Sequence, residues 1–391
     1  MLDNIEYNFD EKINRKNTNC AKYDGLKRYF GYEDLNPLWV ADMDFKTPDF
    51  INNAIIDAAK NSLYGYSIDS DEIYNSIINW QKNQHQWNIN KENIYMINGV
   101  VPAYSACIEA FSELGDEVIV QTPIYPPLFK CVNANNRKVV VNELKKDENG
   151  YYTMDLEDLE SKITPKTKIL ALCSPHNPVG RVWSKEELEK LANICIKYNI
   201  IIVSDEIHSD ITFKKFTPLA SISQKIANQT ITLNSAGKTF NIAGLNSAYA
   251  ISKNQEILEK FRKIAQKREI NSINFFGYIA TKAAYENGVT FVEELKKYLL
   301  SNIEFTKKYF ENNGIKINFQ IPEATYLLWL DFSKYNLSHN EIKETLLTKS
   351  KIALNDGVSF GSNGNRHFRL NLALSKKALE TALNQLSQEF K

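Results

Sequence analysis

Between residues 70 and 285 the chain alternates two patterns, short runs of consecutive apolar residues and longer stretches with apolar residues every three or four positions. The first pattern suits strands buried on both faces, and the second suits helices laid against a sheet. Strands are predicted at 94–97, 117–120, 138–141, 168–172, 200–203, 230–233 and 247–251. Their alternation with helical stretches implies a mostly parallel sheet with helices on both faces, an α/β fold. One crossover helix is spelled out by a capping-box pair, Ser184 and Glu187, ahead of Leu188, Leu191, Ala192 and Cys195 at helical spacing. Past Asn287 the pattern changes. A long helix through 291–310 stops at Asn312-Asn313-Gly314, strands are predicted near 315–319 and 327–330, and a final helix follows, which reads as a smaller α+β domain. The expected division is a segment 1–47 joining the small domain, a large domain 48–286 and a small domain 287–391. No Gly/Ser-rich linker separates them, so close packing is expected.

Composition narrows the partners. Lys plus Arg and Asp plus Glu are 47 each, a formal net charge of +0, which removes the electrostatic footprint of a nucleic-acid or anionic-membrane binder. The N-terminus lacks a basic and then apolar leader, and no apolar run approaches a bilayer span, so a soluble cytoplasmic protein is expected. Five scattered cysteines have no C-x-x-C spacing, which indicates neither a disulfide framework nor a metal site.

Ligands of open parallel sheets sit beyond the carboxyl ends of the strands, and the unusual residues of this chain cluster there. Lys238 follows the strand 230–233 on a Gly-containing turn. A partly desolvated lysine there has a lowered pKa, and its free amine can attack a carbonyl. Ser235, three residues earlier, offers a hydroxyl to a phosphate oxygen. Asp205 and His208 follow the strand 200–203, and Asn177 lies in the Pro- and Gly-containing run 173–180 after another. Gly99, Val100 and Val101 open a helix, where backbone N–H groups bind phosphate without charged side chains. Near the C-terminus, Arg369 sits in a strand-like run, and its guanidinium matches a planar carboxylate.

Taken in order, these motifs resemble the fold-type I pyridoxal-phosphate (PLP) enzymes of the class I/II aminotransferase superfamily. The run Lys238-Thr239-Phe240-Asn241-Ile242-Ala243-Gly244-Leu245, the segment Val40-Ala41-Asp42-Met43-Asp44-Phe45 and the run Ser204-Asp205-Glu206-Ile207-His208 resemble the MalY/PatB-type cystathionine β-lyase branch. The resemblance implies PLP on Lys238, Asp205 on the ring nitrogen, Asn177 and His208 near the ring oxygen and Tyr125 flat against the ring. It implies a phosphate cup of Gly99, Val100, Val101 and Ser235. Arg369 and Asn177 would hold the substrate carboxylate, with Asp42 bordering the substrate pocket. Tyr64, expected with Lys238 among the catalytic residues, would reach the phosphate of a neighbouring subunit, so a homodimer with shared active sites is expected. One departure stands out: eight residues after Lys238, where many relatives carry a phosphate-binding Arg, this chain has Asn246.

The same side chains serve transamination and β-elimination, so the motifs do not choose between them. The branch resemblance implies a carbon–sulfur β-lyase acting on L-cystathionine or related cysteine S-conjugates. The alternatives are an aminotransferase of aromatic or other apolar amino acids and, in a different class, a PLP-binding regulatory module.

Overall fold

The computed structural model describes residues 7–61 and 63–391. A central sheet is built from β1 (Ile94–Ile97), β2 (Glu117–Thr122), β3 (Lys138–Glu143), β4 (Thr167–Cys173), β5 (Ile201–Asp205), β6 (Thr230–Asn234) and β7 (Ala248–Ile251). Their spatial order is β1-β7-β6-β5-β4-β2-β3. Strands β2 to β6 run parallel to one another, whereas β7 is antiparallel to both β1 and β6. Its inversion has a local cause. The chain between β6 and β7 carries the Lys238 loop and one short turn, Ala243–Leu245, in place of the crossover helix that a parallel return requires.

Every residue of β2, β6 and β7 is buried, as consecutive apolar runs require of strands covered on both faces. Edge strand β3 is the exception, with Lys138 and Glu143 exposed on a rim where charge blunts unwanted pairing. The helices that frame the site are α1 (Asp71–His85), α2 (Val100–Phe111), α3 (Pro126–Ala134) and α4 (Lys185–Lys197). Helix α4 begins with the capping box read from sequence: Ser184 Oγ accepts from Glu187 N at 3.1 Å, and Glu187 Oε2 accepts from Ser184 N at 2.8 Å. Its buried face is Leu188, Leu191, Ala192 and Cys195.

Beyond Asn287 the long helix α5 (Val289–Asn312) leads to a small antiparallel sheet ordered β8 (Leu327–Asp331), β10 (His367–Asn371) and β9 (Asn355–Asp356). The strand expected at 315–319 is a correction, because only an isolated bridge between Asn318 and Asp331 forms. The backbone N–H of Lys316 goes to the Tyr335 hydroxyl at 2.9 Å, so the ladder stops after one rung. Far upstream, Asn36 and Pro37 pair in parallel with Ile352 and Ala353, which brings the N-terminal segment back across the C-terminal elements.

A buried hub ties α1 to the loops at the strand ends. Asp210 accepts from Trp80 Nε1 at 2.9 Å and Thr239 Oγ1 at 2.7 Å, and His85 Nε2 lies 2.8 Å from it. Burial alone would raise the Asp210 pKa, but His85, Thr239 and Trp80 together hold it below the ordinary value. Thr239 adjoins Lys238, so this hub also braces the lysine loop. Replacing Asp210 with Ala strands the buried His85 and two further donors, and we expect a loss of about 3 kcal/mol of stability by chemical denaturation. A loss below about 1 kcal/mol would show that the donors find other partners.

Candidate active site

The carboxyl ends of β1, β2, β4, β5 and β6 deliver their following residues to one partly open cavity of about 240 Å³. Gly99, Val100, Val101, Tyr125, Asn177, Asp205, His208, Ser235 and Lys238 all line it. Residues far apart in the chain meet because parallel strands align their C-terminal ends.

Lys238 faces this cavity, and its Nζ donates to the Ala41 carbonyl at 2.6 Å. Burial, reinforced by the positive charge of Arg369, pushes its pKa down to about 8, while Asp42 and Asp205 pull the other way. Asp205 is the last residue of β5 and is buried. Desolvation raises its carboxyl to about 6, against the pull of the Ile207 N–H at 3.2 Å and of Lys238. His208 is held neutral: burial, then the charges of Lys238 and Arg369, bring it down to about 3. Its Nδ1 is buried without a hydrogen-bond partner.

Arg369, on β10, reaches the site through Asn177. Its Nη1 donates to Asn177 Oδ1 at 3.0 Å, and its Nη2 donates to Asn355 Oδ1 at 2.6 Å and to the Trp39 carbonyl at 3.1 Å. All three acceptors are neutral. The residue is 3% exposed and its Nε has no partner, so a full positive charge is buried with no carboxylate against it. Desolvation lowers its pKa to about 10. Asn177 itself sits in a loop closed by Gly180 N donating to His176 O at 2.7 Å. Gly180 has φ +70°, and a Cβ there would lie 2.5 Å from Pro322 Cβ, so this turn requires glycine.

At the opposite side of the cavity α2 begins, with Gly99 as its N-cap. The first N–H groups of a helix have no intrahelical acceptor and favour an anion. The Ser235 hydroxyl donates to Ser247 O at 2.6 Å and accepts from Gly237 N at 2.9 Å, so it must turn to serve a phosphate. Tyr125 caps α3 at the cavity wall.

Two candidates stand apart. The Asp42 carboxylate is turned to Arg15, with Nη2 at 2.6 Å and Nη1 at 3.0 Å, and does not line the cavity. Tyr64 is 62% exposed on the outside of the chain, where its hydroxyl donates to Ala59 O at 3.2 Å. Sequence reasoning missed the Ala41 carbonyl, because a main-chain acceptor carries no residue signal. It also missed Tyr326, which donates to Ala41 O at 3.1 Å, and Asn371, which donates to the carbonyls of Val40 at 2.7 Å and Asp42 at 2.6 Å. Asn371 stands two residues from Arg369, and that spacing along a strand, which puts both on one face, was the available signal.

Helix N–H groups at one edge, a buried carboxylate, an unpartnered imidazole nitrogen and a depressed lysine together fit a flat ring. That ring would carry a phosphate, a polar nitrogen and a carbonyl. Arg369 leaves a second place, for the carboxylate of another molecule.

Comparison with known proteins agrees with this geometry. The family described as aminotransferase class I and II matches residues 37–386. The chain belongs to that family. Among curated class I and II relatives, cystathionine beta-lyase PatB of Bacillus subtilis (strain 168) is 37% identical over 97% of this chain and 98% of its own length. A PLP-bound structure from Clostridium difficile 630, which carries a provisional aminotransferase name, superposes with TM-score 0.96 at 42% identity, covering 98% of this chain and 99% of that one. Cystalysin from Treponema denticola, solved with pyridoxal 5′-phosphate, gives TM-score 0.95 at 34% identity over 98% of both chains.

A lysine titrating near 8 is distinguishable from its neighbours in the cofactor-free protein. Near pH 8 about half of Lys238 is the free amine, against roughly 0.4% of an ordinary surface lysine. Acylation mapped by peptide mass is expected to favour Lys238, rising about tenfold between pH 6 and 7 and levelling off above 8. A rate still climbing steeply at pH 9 would place this amine among ordinary lysines.

Proposed function

We propose that the chain is a PLP-dependent carbon–sulfur β-lyase. It cleaves L-cystathionine or a related cysteine S-conjugate to a thiol, pyruvate and ammonia, with one water taken up. The observation that carries the amino-acid reading is the buried Arg369 guanidinium, with no carboxylate against it, joined through Asn177 to the cavity that holds the depressed Lys238 amine. The β-lyase direction rests on the full-length similarity to PatB.

When bound, PLP supplies a ring that accepts the electron pair released when a bond at the substrate Cα breaks. The residues of the chain do the rest. Arg369 binds the substrate α-carboxylate, and Asn177 fixes the fork that does so. Lys238, once its amine is free, takes the Cα proton and later returns a proton. Asp205, a buried carboxylate with an open oxygen, would keep a proton on the ring nitrogen. Neutral His208 and Asn177 would meet the ring oxygen, and Tyr125 would hold the ring. The N–H groups of Gly99, Val100 and Val101 and the Ser235 hydroxyl would hold the phosphate. Because Asn246 stands where an arginine is common, helix dipole and hydroxyl groups carry more of that charge.

The active unit is a homodimer in this reading. The segment that carries Tyr64 also exposes Leu63, Tyr66 and Ile68 at 78%, 106% and 85%, apolar surface that calls for a cover. A second copy supplies that cover and receives Tyr64 at its phosphate. Among the described residues no helix is long and apolar enough to cross a membrane, and we place the enzyme in the cytoplasm.

Purified protein loaded with PLP is expected to release pyruvate from L-cystathionine without added keto acid. Turnover that requires a keto acid would replace this reading with an aminotransferase, which the C. difficile neighbour's name favours. No turnover of either kind by the loaded protein would favour the regulatory module. Arg369→Lys, which loses the planar fork, is expected to raise KM for L-cystathionine by about 10- to 100-fold. An unchanged KM would remove Arg369 from the carboxylate site.

A further inference from the structure

The acceptor that Lys238 uses lies on a strap, residues 39–45, drawn across the site. On its inner side the strap is held by groups of the site itself. Arg369 donates to Trp39 O, Asn371 to Val40 O and Asp42 O, and Asn241 accepts from Met43 N at 2.9 Å and donates to Met43 O at 2.8 Å. On its outer side it meets a compact set of charges from residues 15–24. Arg15 grips both oxygens of Asp42, and its Nη1 lies 2.6 Å from Asp44 and 3.1 Å from Met43 O. Lys22 donates to Asp44 at 2.8 Å and stands 3.6 Å from Asp42, and the Tyr23 hydroxyl donates to Asp44 at 3.1 Å.

Lys22 is 1% exposed, an unusual depth for an ammonium. Buried ion pairs add little stability over packed apolar groups, whereas in some proteins directed charge contacts fix geometry. The geometry specified here is that of a carbonyl. Ala41 O belongs to the peptide unit that leads into Asp42, so the grip on Asp42 and Asp44 sets where that oxygen points. It points at Lys238 Nζ, 2.6 Å away.

We propose that Lys22 and Arg15 are positioning residues for proton transfer at the substrate Cα, acting through the Ala41 carbonyl. In that step the Cα–H bond breaks, its proton forms a bond to Lys238 Nζ, and the electron pair is taken up by the bound cofactor. A correctly aimed carbonyl receives the resulting ammonium by a charge-assisted hydrogen bond and so favours the transfer. The latch thus selects the place to which the loaded lysine returns. The inference rests on Lys238 as the Cα base and is independent of whether elimination follows.

The test uses the PLP-loaded protein and L-alanine, which has no leaving group, with exchange of its α-proton in D2O followed by NMR. Lys22→Met is expected to slow exchange at saturating alanine at least tenfold, with the half-saturating concentration moving less than threefold. Lys22→Arg is expected to restore the rate to within threefold of the original. In the cofactor-free protein, Lys22→Met is expected to lower the pH midpoint of Lys238 acylation by half a unit or more, since the acceptor that favours the ammonium is loosened. Arg369, Asp205 and Asp42, the charged groups that act on Lys238, are all retained in that variant. Exchange within twofold of the original, or an unmoved midpoint, overturns the proposal. Asp44→Asn, a milder break of the same latch, guards against misfolding of the first variant, with a threefold or greater slowing expected. Slowing in both variants that merely tracks lost cofactor also overturns the proposal. Original protein that exchanges alanine but yields no pyruvate refutes the lyase reading alone.

Discussion

The protein must hold an amine, a carboxylate and, one side chain away, a guanidinium out of water without letting them neutralise one another. That constraint organises the molecule. Were Asp205 to pair directly with Arg369 or Lys238, the charges would cancel and the cavity would have nothing to offer a ligand. Instead Arg369 is satisfied by neutral oxygens of Asn177, Asn355 and Trp39, and Lys238 by the main chain of Ala41. Desolvation then acts on three groups at once, lowering Lys238 and Arg369 and raising Asp205. Each group is left short of an opposite charge that a ligand can supply.

Keeping such groups apart demands a rigid frame, and the sheet provides it. Asp205 ends a strand whose neighbours on both sides are parallel, so its position is set by ladders rather than by a loop. The lysine loop is braced from below by Asp210 through Thr239 and closed from above by the strap. Arg369 comes from the separate small sheet, whose strand β10 pairs with both of its neighbours. The site is therefore a seam between two sheets, and the N-terminal segment is stitched along that seam.

The stitching has a chemical consequence. Two aspartates on the strap face two cations from residues 15–24, and the same strap supplies carbonyls to Arg369, Asn371, Tyr326 and Lys238. In the proposed reading, substrate binding and proton transfer share one main-chain element, and residues 15–24 act on the chemistry through it.

Much of this was legible in the chain. Consecutive apolar runs marked the strands, a capping box marked α4, and Gly99, Asn177, Asp205 and Lys238 stood out because strand ends are where an open parallel sheet exposes its residues. The family wording around Lys238 added a chemistry that periodicity alone does not carry. The run 315–319 misled because two buried isoleucines, Ile315 and Ile317, alternate as in a strand while a tyrosine hydroxyl takes the ladder's donor. Sequence by itself determined which side chains are available, since residue type sets charge, donor count and the local preference for strand or helix. Only tertiary structure decided that Ala41 would lend its carbonyl to Lys238, that Asp42 would turn to Arg15, and that Arg369 would be buried without a counter-charge. Main-chain atoms are the same at every position, and desolvation depends on everything packed around a group, so neither is written in any one residue.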